Sequence, residues 1–429
     1  MNHPFYHETQ LSDAPLVLSH AMPHSQSVAL GIFIDVGSRD EVARLSGITH
    51  ALEHMLFKGT AQMNVHQLAE KLDELGGNAN AFTSRERTCF HLHVLHEHWR
   101  EALQILMQMV REPALPQAEW LREREVIFAE MAMVEDTPEE WVMDQHLEAL
   151  FPNHALGRPV LGTHQSLDIF SSTDLSDYLQ HWYRSPRLLI VAAGNIEHDN
   201  LLAEVQAVDW GMTGQAEPRQ PVTSLASGVQ ALPRAGEQAQ IIVSFSGIAA
   251  ASEQRPVAWL ANQVLGGGMS SCLFREIREK RGLAYGIGSH LNTLTDTGTW
   301  TITCGTEPSR AAECVDLLSQ LLHDFSTSIT ASEVERSKRQ LQVQFRMGLD
   351  SVEGQMLYLG SRLDEELLLS PLQWLQKIEE VDVEQVRGWS SEQLASDRLA
   401  SNQSSSAALW TIAAPEHELS NVCDRIPAC

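Results

Sequence analysis

The chain has 429 residues, 43% of them hydrophobic and 20% charged, the composition of a soluble globular protein with about two to four domains rather than a single core. Its 56 acidic and 30 basic residues give a formal net charge of -26. That balance argues against nucleic-acid binding through a basic face; it would attract cationic peptides or simply keep the chain soluble. No apolar run reaches the roughly 18 residues of a membrane-spanning helix. The start, Met1 to His7, has neither the basic and apolar regions of a secretory signal nor the Arg-rich character of a transit peptide. Six cysteines (Cys89, Cys272, Cys304, Cys314, Cys423 and Cys429) are scattered without a C-x-x-C pair, as suits reduced thiols in the cytoplasm.

The first clear strand covers 28–36, where Val28, Leu30, Ile32, Ile34 and Val36 alternate onto one face. A helix follows over Gly47 to Thr60. Its apolar side is Ile48, Leu52, Met55 and Leu56, and its other side bears His50, Glu53 and His54. Spacings of three and four place these last three on one face. Two imidazoles one turn apart can grip one zinc, and a carboxylate between them can hold the attacking water. H-x-x-E-H is the inverted form of the commoner zinc-protease signature.

A helix with Leu68, Leu72 and Leu75 stops at Gly76-Gly77. A strand around Thr88 to Val94 leads into an amphipathic helix with Leu103, Leu106, Met109 and Val110. His91, His93, His96 and His98 offer no third metal ligand and read as structural or surface residues. A catalytic zinc wants three protein ligands and an open position. Beyond Pro116, Glu119 to Met131 reads as a helix on which Glu123 and Glu130, seven apart, share a face around Ile127; acidic residues on such a helix are ordinarily just solvated. A mostly helical stretch to about 185 precedes the apolar strand Leu188 to Ala193, and 211–228, rich in Gly, Pro, Ser, Thr and Gln, reads as a linker.

The pattern then restarts. The strand Gln240 to Phe245 echoes the first one, but the helix Ala258 to Leu265 contains no histidine. The strand Thr299 to Cys304 precedes a helix with Cys314, Leu317, Leu318, Leu321 and Leu322, and Ala408 to Ile412 closes the series after the polar stretch 401–406. Gly266-Gly267-Gly268-Met269-Ser270-Ser271 has neither the lysine of a P-loop nor a G-x-G-x-x-G fingerprint, and reads as a flexible turn near a substrate cavity. The whole is expected to be α+β, two homologous α/β halves, each an antiparallel-rich sheet packed with helices: 1–210, the linker 211–228, and a metal-free 229–429.

These motifs, with Gly76 to Glu86, Gly157 to Gly162 and Arg278 to Tyr285, resemble the pitrilysin/insulinase metallopeptidases, in the short branch that includes the mitochondrial processing peptidase. The likeness runs through most of the chain. It implies one zinc per chain, whose third ligand lies 76 residues after His54, at Glu130. Glu53 would be the catalytic base, Glu123 would assist, and Asn80-Ala81 would lie on an edge strand that pairs with an extended peptide. Arg278 and Tyr285 would hold substrate from the metal-free half. Longer relatives enclose a chamber between two such halves, so a homodimer with shared sites is expected, acting as a zinc endopeptidase on peptides or unfolded precursor segments. Inactive scaffolds and obligate heterodimer subunits also occur in the family.

Overall fold

The structure, a computed structural model, describes residues 6–12, 14–211, 218–364, 368–394 and 408–426. The chain forms two compact units, each around one sheet. The first sheet comprises β1 (His7–Gln10), β2 (Leu16–Ala21), β3 (Ser27–Ile34), β4 (Asn78–Thr83), β5 (Thr88–Leu95) and β6 (Leu188–Gly194), in the order β1-β2-β6-β3-β5-β4. All neighbours are antiparallel except β2 and β6.

The alternation read for the first strand sorts β3 onto two faces. Val28, Leu30, Ile32 and Ile34 enter the main core of the first unit, whereas Ala29 and Phe33 enter a second cluster on the other side. Both faces are apolar, so both must be covered. The main core takes α1 (Ile48–Leu56), α2 (Val65–Glu74), α3 (Trp99–Arg111) and α4 (Gln117–Asp136). The opposite face takes the helix Val352–Gly360, through Val352, Met356 and Leu359.

The second sheet repeats the plan, among the described residues without a counterpart of β1. It comprises β7 (Gly228–Pro233), β8 (Ala239–Ser246), β9 (Ala284–Thr293), β10 (Gly298–Thr306) and β11 (Leu409–Ala414), in the order β7-β11-β8-β10-β9. Only β7 and β11 run parallel. One face is met by α5 (Pro138–Leu150), whose Val142 packs with Ile242 and Ala413. On the other, Trp300 packs at a tilt against Phe325 and Trp389 from the helices Ala311–Ser328 and Val383–Leu394.

The α+β class with two sheet-and-helix halves therefore stands, but the expected linear division 1–210 and 229–429 is corrected. The first unit is Met1–Met133, Arg158–Gln220 and Arg346–Ser370; the second is Val134–Gly157, Pro221–Phe345 and Pro371–Cys429. Each sheet takes one covering helix from the far part of the sequence. Residues 212–217 of the expected linker and the stretch 401–406 lie outside the described residues.

The helix Val352–Gly360 lies close against its sheet. A Cβ at Gly360 would sit 2.3 Å from ring carbons of Phe33, and one at Gly31 would sit 2.9 Å from the Met356 sulfur. Gly360→Ala is expected to destabilise the protein by about 1–3 kcal/mol through overpacking. Gly348→Ala, where a Cβ meets nothing within 4 Å, is expected to stay within roughly 0.5 kcal/mol of the parent. Denaturation midpoints of the two variants check the close approach.

Candidate metal centre

Helix α1 buries Ile48, Thr49, Ala51, Leu52, Met55 and Leu56, which leaves His50, Glu53 and His54 half-buried on its other side. Its start is fixed without a conventional side-chain cap. Gly47 at the N-cap has φ +90, a conformation that suits glycine. The carboxylate of buried Glu41 accepts the N–H groups of Gly47 (2.8 Å) and Thr49 (2.9 Å), so an anion sits at the positive end of the helix. Burial pushes Glu41 up to about 7 despite those two donors.

Helix α4 buries Trp120, Glu123, Ile127 and Met131. Glu130, seven residues after Glu123, lies on the same side and meets the two histidines. Its Oε2 is 3.9 Å from His50 Nε2 and 3.7 Å from His54 Nε2. The ligand atoms of His50, His54 and Glu130 all lie within 4.8 Å of one another, and they form the only such cluster of three among the described residues. A tetrahedral zinc sets its ligand atoms roughly 3.3 Å apart, so the three groups are a few tenths of an ångström or more too open.

The donor set fits zinc in other respects. His54 Nδ1 lies 2.9 Å from Glu123 Oε1; with the proton on Nδ1, Nε2 keeps its lone pair for the cluster. His50 is pushed down to about 3 by burial and by the neighbouring His54, so its imidazole is neutral near pH 7. For His54 burial opposes the charge, but the Glu123 contact and the charges of Glu130 and Glu53 outweigh it and hold the group above its ordinary value.

Glu123 divides its two oxygens. Oε1 faces His54, and Oε2 pairs with Lys58 Nζ at 2.7 Å. Burial raises its pKa, yet His54 and Lys58 win and keep it below the usual carboxylate range. Lys58, two residues past the end of α1, was missed in the sequence. Glu53 receives a short hydrogen bond on Oε2 from the Thr83 hydroxyl. Burial holds Glu53 above its ordinary value, with Thr83 and His54 opposing. Thr83 was missed as well; only its place on the inward side of β4 signalled it.

Asn80 and Ala81 lie on β4, the last strand of the sheet, paired with His91 and Phe90 of β5. His93 Nε2 contacts Ser27 Oγ at 2.9 Å and joins no metal cluster. In the second unit Arg278 lies on a π-helical turn, Phe274–Glu279, and Tyr285 is the second residue of β9 (Ala284–Thr293). The guanidinium sits 5.0 Å from the Tyr285 ring centre, and the tyrosine is 81% exposed. Gly266, Gly267, Gly268 and Tyr285 line a cavity of about 560 Å³ in that unit. The segment 278–285 is thus a π-turn leading into a strand whose glycines hid it from pattern reading.

Glu41→Ala strips two buried amides of their acceptor, at about 1–3 kcal/mol each. The expected loss of stability is therefore several kcal/mol, with faster hydrogen exchange at the Thr49 amide. Glu41→Gln, which keeps one carbonyl acceptor, is expected to lose less.

Comparison with known proteins identifies a family. Residues 16–164 match the family "Insulinase (Peptidase family M16)", and residues 170–341 match "Peptidase M16 inactive domain". The chain is 35% identical over 376 residues to the uncharacterized zinc protease YmxG of Bacillus subtilis, covering 85% of this chain and 90% of the relative. It is 34% identical over 387 residues to an uncharacterized zinc protease of Mycobacterium leprae, covering 88% and 87%. A crystal structure of a peptidase M16 inactive domain from Pseudomonas fluorescens superposes with a TM-score of 0.85 at 19% identity, over 96% of this chain and 98% of that one. A protease from Helicobacter pylori gives 0.85 at 17%, over 96% and 99%. Matched in both halves and along most of its length, the chain belongs to the insulinase family of peptidases, family M16.

Proposed function

We propose that the chain is a zinc-dependent endopeptidase acting on extended peptides. One observation carries the reading: the donor atoms of His50, His54 and Glu130, drawn from two helices, lie within 4.8 Å of one another, with Glu53 on the same face of α1. These three residues would hold one zinc. When bound, zinc supplies Lewis acidity, which acidifies a water and polarises a carbonyl. Glu53, with Oε2 engaged by Thr83, has Oε1 to take the proton of the attacking water and return it to the leaving amine. Glu123 orients His54, and Lys58 anchors Glu123.

Substrate is read as lying along β4 at Asn80 and Ala81, since a terminal strand leaves main-chain groups to pair with an extended peptide. Arg278 and Tyr285 would face the scissile region from a second copy of the chain, the guanidinium binding carbonyl oxygens and the exposed phenol donating to developing negative charge. This makes the working unit a homodimer with shared sites. The five described cysteines are free thiols, which suits the cytoplasm. An inactive-scaffold reading finds no support, because every donor and the Arg278 and Tyr285 pair are present.

Glu53→Gln is expected to keep its zinc and lose roughly 10²–10⁴-fold in peptide cleavage. His54→Ala should lose the metal, and cleavage by the parent should stop with a chelator and return with zinc. Failure of the pure protein to take up metal would sink the reading. Lys58→Met is expected to weaken zinc binding about 10-fold or more, measured by competition with a chromophoric chelator. For the dimer, inactive Glu53→Gln and Tyr285→Phe subunits are mixed; recovered activity above either alone supports shared sites, and none refutes them.

A further inference from the structure

Strand β4 alternates along its length. Asn78, Asn80 and Phe82 are exposed, while Ala79, Ala81 and Thr83 are half-buried. Ala79 and Ala81 rest on the main core of the first unit, so Thr83 is the polar residue of the inward face. Its backbone is fixed twice, by pairing with Thr88 of β5 and by the adjoining turn, where Ser84 N–H donates to Arg87 O at 2.7 Å. A β-branched side chain on so fixed a backbone has few rotamers. Its hydroxyl therefore points from a rigid origin, and the group it meets is Glu53 Oε2.

We propose that Thr83 is a positioning residue for Glu53, holding one carboxylate oxygen so that the other faces the cluster of His50, His54 and Glu130. Glu53 is otherwise a long side chain on the half-buried face of α1, free to turn its carboxylate about the terminal bond. The hydroxyl bond removes that freedom from the strand side. Asn80, which the proposed function assigns to the peptide, lies three residues earlier on the same strand. Peptide dock and clamp on the base thus share one rigid element, so the scissile bond and the proton acceptor keep a common reference. The inference rests on Glu53 being the base.

The test compares Thr83→Val, which keeps the shape and removes the hydroxyl, with Thr83→Ser, which keeps the hydroxyl. Zinc content, kcat and KM on a fluorogenic peptide, and affinity of the zinc-free protein for the same peptide are measured for each. Thr83→Val is expected to keep its zinc and lose roughly 10–100-fold in kcat, since small misplacements of a catalytic group cost that much. KM and the zinc-free affinity should stay within about twofold, and Thr83→Ser should hold at least about a third of the parental kcat. In a Glu53→Gln background Thr83→Val should cost nothing further, because the group it positions is gone. Parental kcat in Thr83→Val overturns the inference. So does a loss that falls on KM and zinc-free affinity, which would assign Thr83 to the strand alone, or an undiminished loss in the Glu53→Gln background. If Glu53→Gln itself keeps parental turnover, the reading of Glu53 as base fails, and this inference with it. If Glu53→Gln is inactive and Thr83→Val is fully active, only the role of Thr83 fails.

Discussion

The contact between Glu123 and His54 is the joint on which the centre depends. Glu123 is a buried carboxylate on α4, and a buried carboxylate without partners is costly. It finds two, His54 Nδ1 in the last turn of α1 and Lys58 Nζ two residues past its end. That demand sets the register of α4 against α1. With Glu123 pinned, the residue two turns later on the same face is Glu130, which therefore arrives beside both Nε2 atoms. Glu41 fixes the other end of α1 by accepting Gly47 and Thr49. Two carboxylates outside the cluster thus place the helix that carries its histidines.

The second unit shows the same plan turned to another use. The helix Arg255–Gly266 follows β8 as α1 follows β3, yet its polar groups are engaged within the unit. Asn262 Oδ1 accepts from Ser289 Oγ (2.7 Å) and Trp300 Nε1 (3.1 Å), and Gln263 Nε2 donates to Gln340 Oε1 (3.2 Å). The helix that brings metal-ligating residue types together in one copy satisfies internal hydrogen bonds in the other. The terminal strands have diverged likewise. In β4 Ala79, Ala81 and Thr83 face inward, whereas β9 opens with Ala284 followed by an exposed tyrosine beside Arg278 and then Gly286.

How much of this was legible follows from what periodicity can carry. His50, Glu53 and His54 could be read because one helix brings them together, whatever the rest of the fold does. Glu130 could not be read from its own helix, where a glutamate is usually solvated; it needed the family spacing. Lys58 looked like an ordinary helix-end cation. The exchange of α5 and Val352–Gly360 between the halves left no sequence mark. Strands apolar on both faces, such as β3 and β6, say that two layers must cover them and not which helices do so. Strand β9 was invisible because Gly286, Gly288 and its polar neighbours break the alternation.

Charge balance links these parts to the metal. Glu53, Glu123 and Glu130 surround two imidazoles, of which His50 is held neutral, and Lys58 is the cation that pairs with this group. Three acids against one ammonium make the centre acidic in balance, and burial together with the charge of Glu130 works against ionisation of Glu53. A divalent cation would relieve that crowding of acids at the point where three donor atoms converge. Two imidazoles beside one carboxylate favour zinc over magnesium or calcium, which prefer oxygen alone. The electrostatic debt of burying these acids and the chemistry of the donor set therefore point to the same ion.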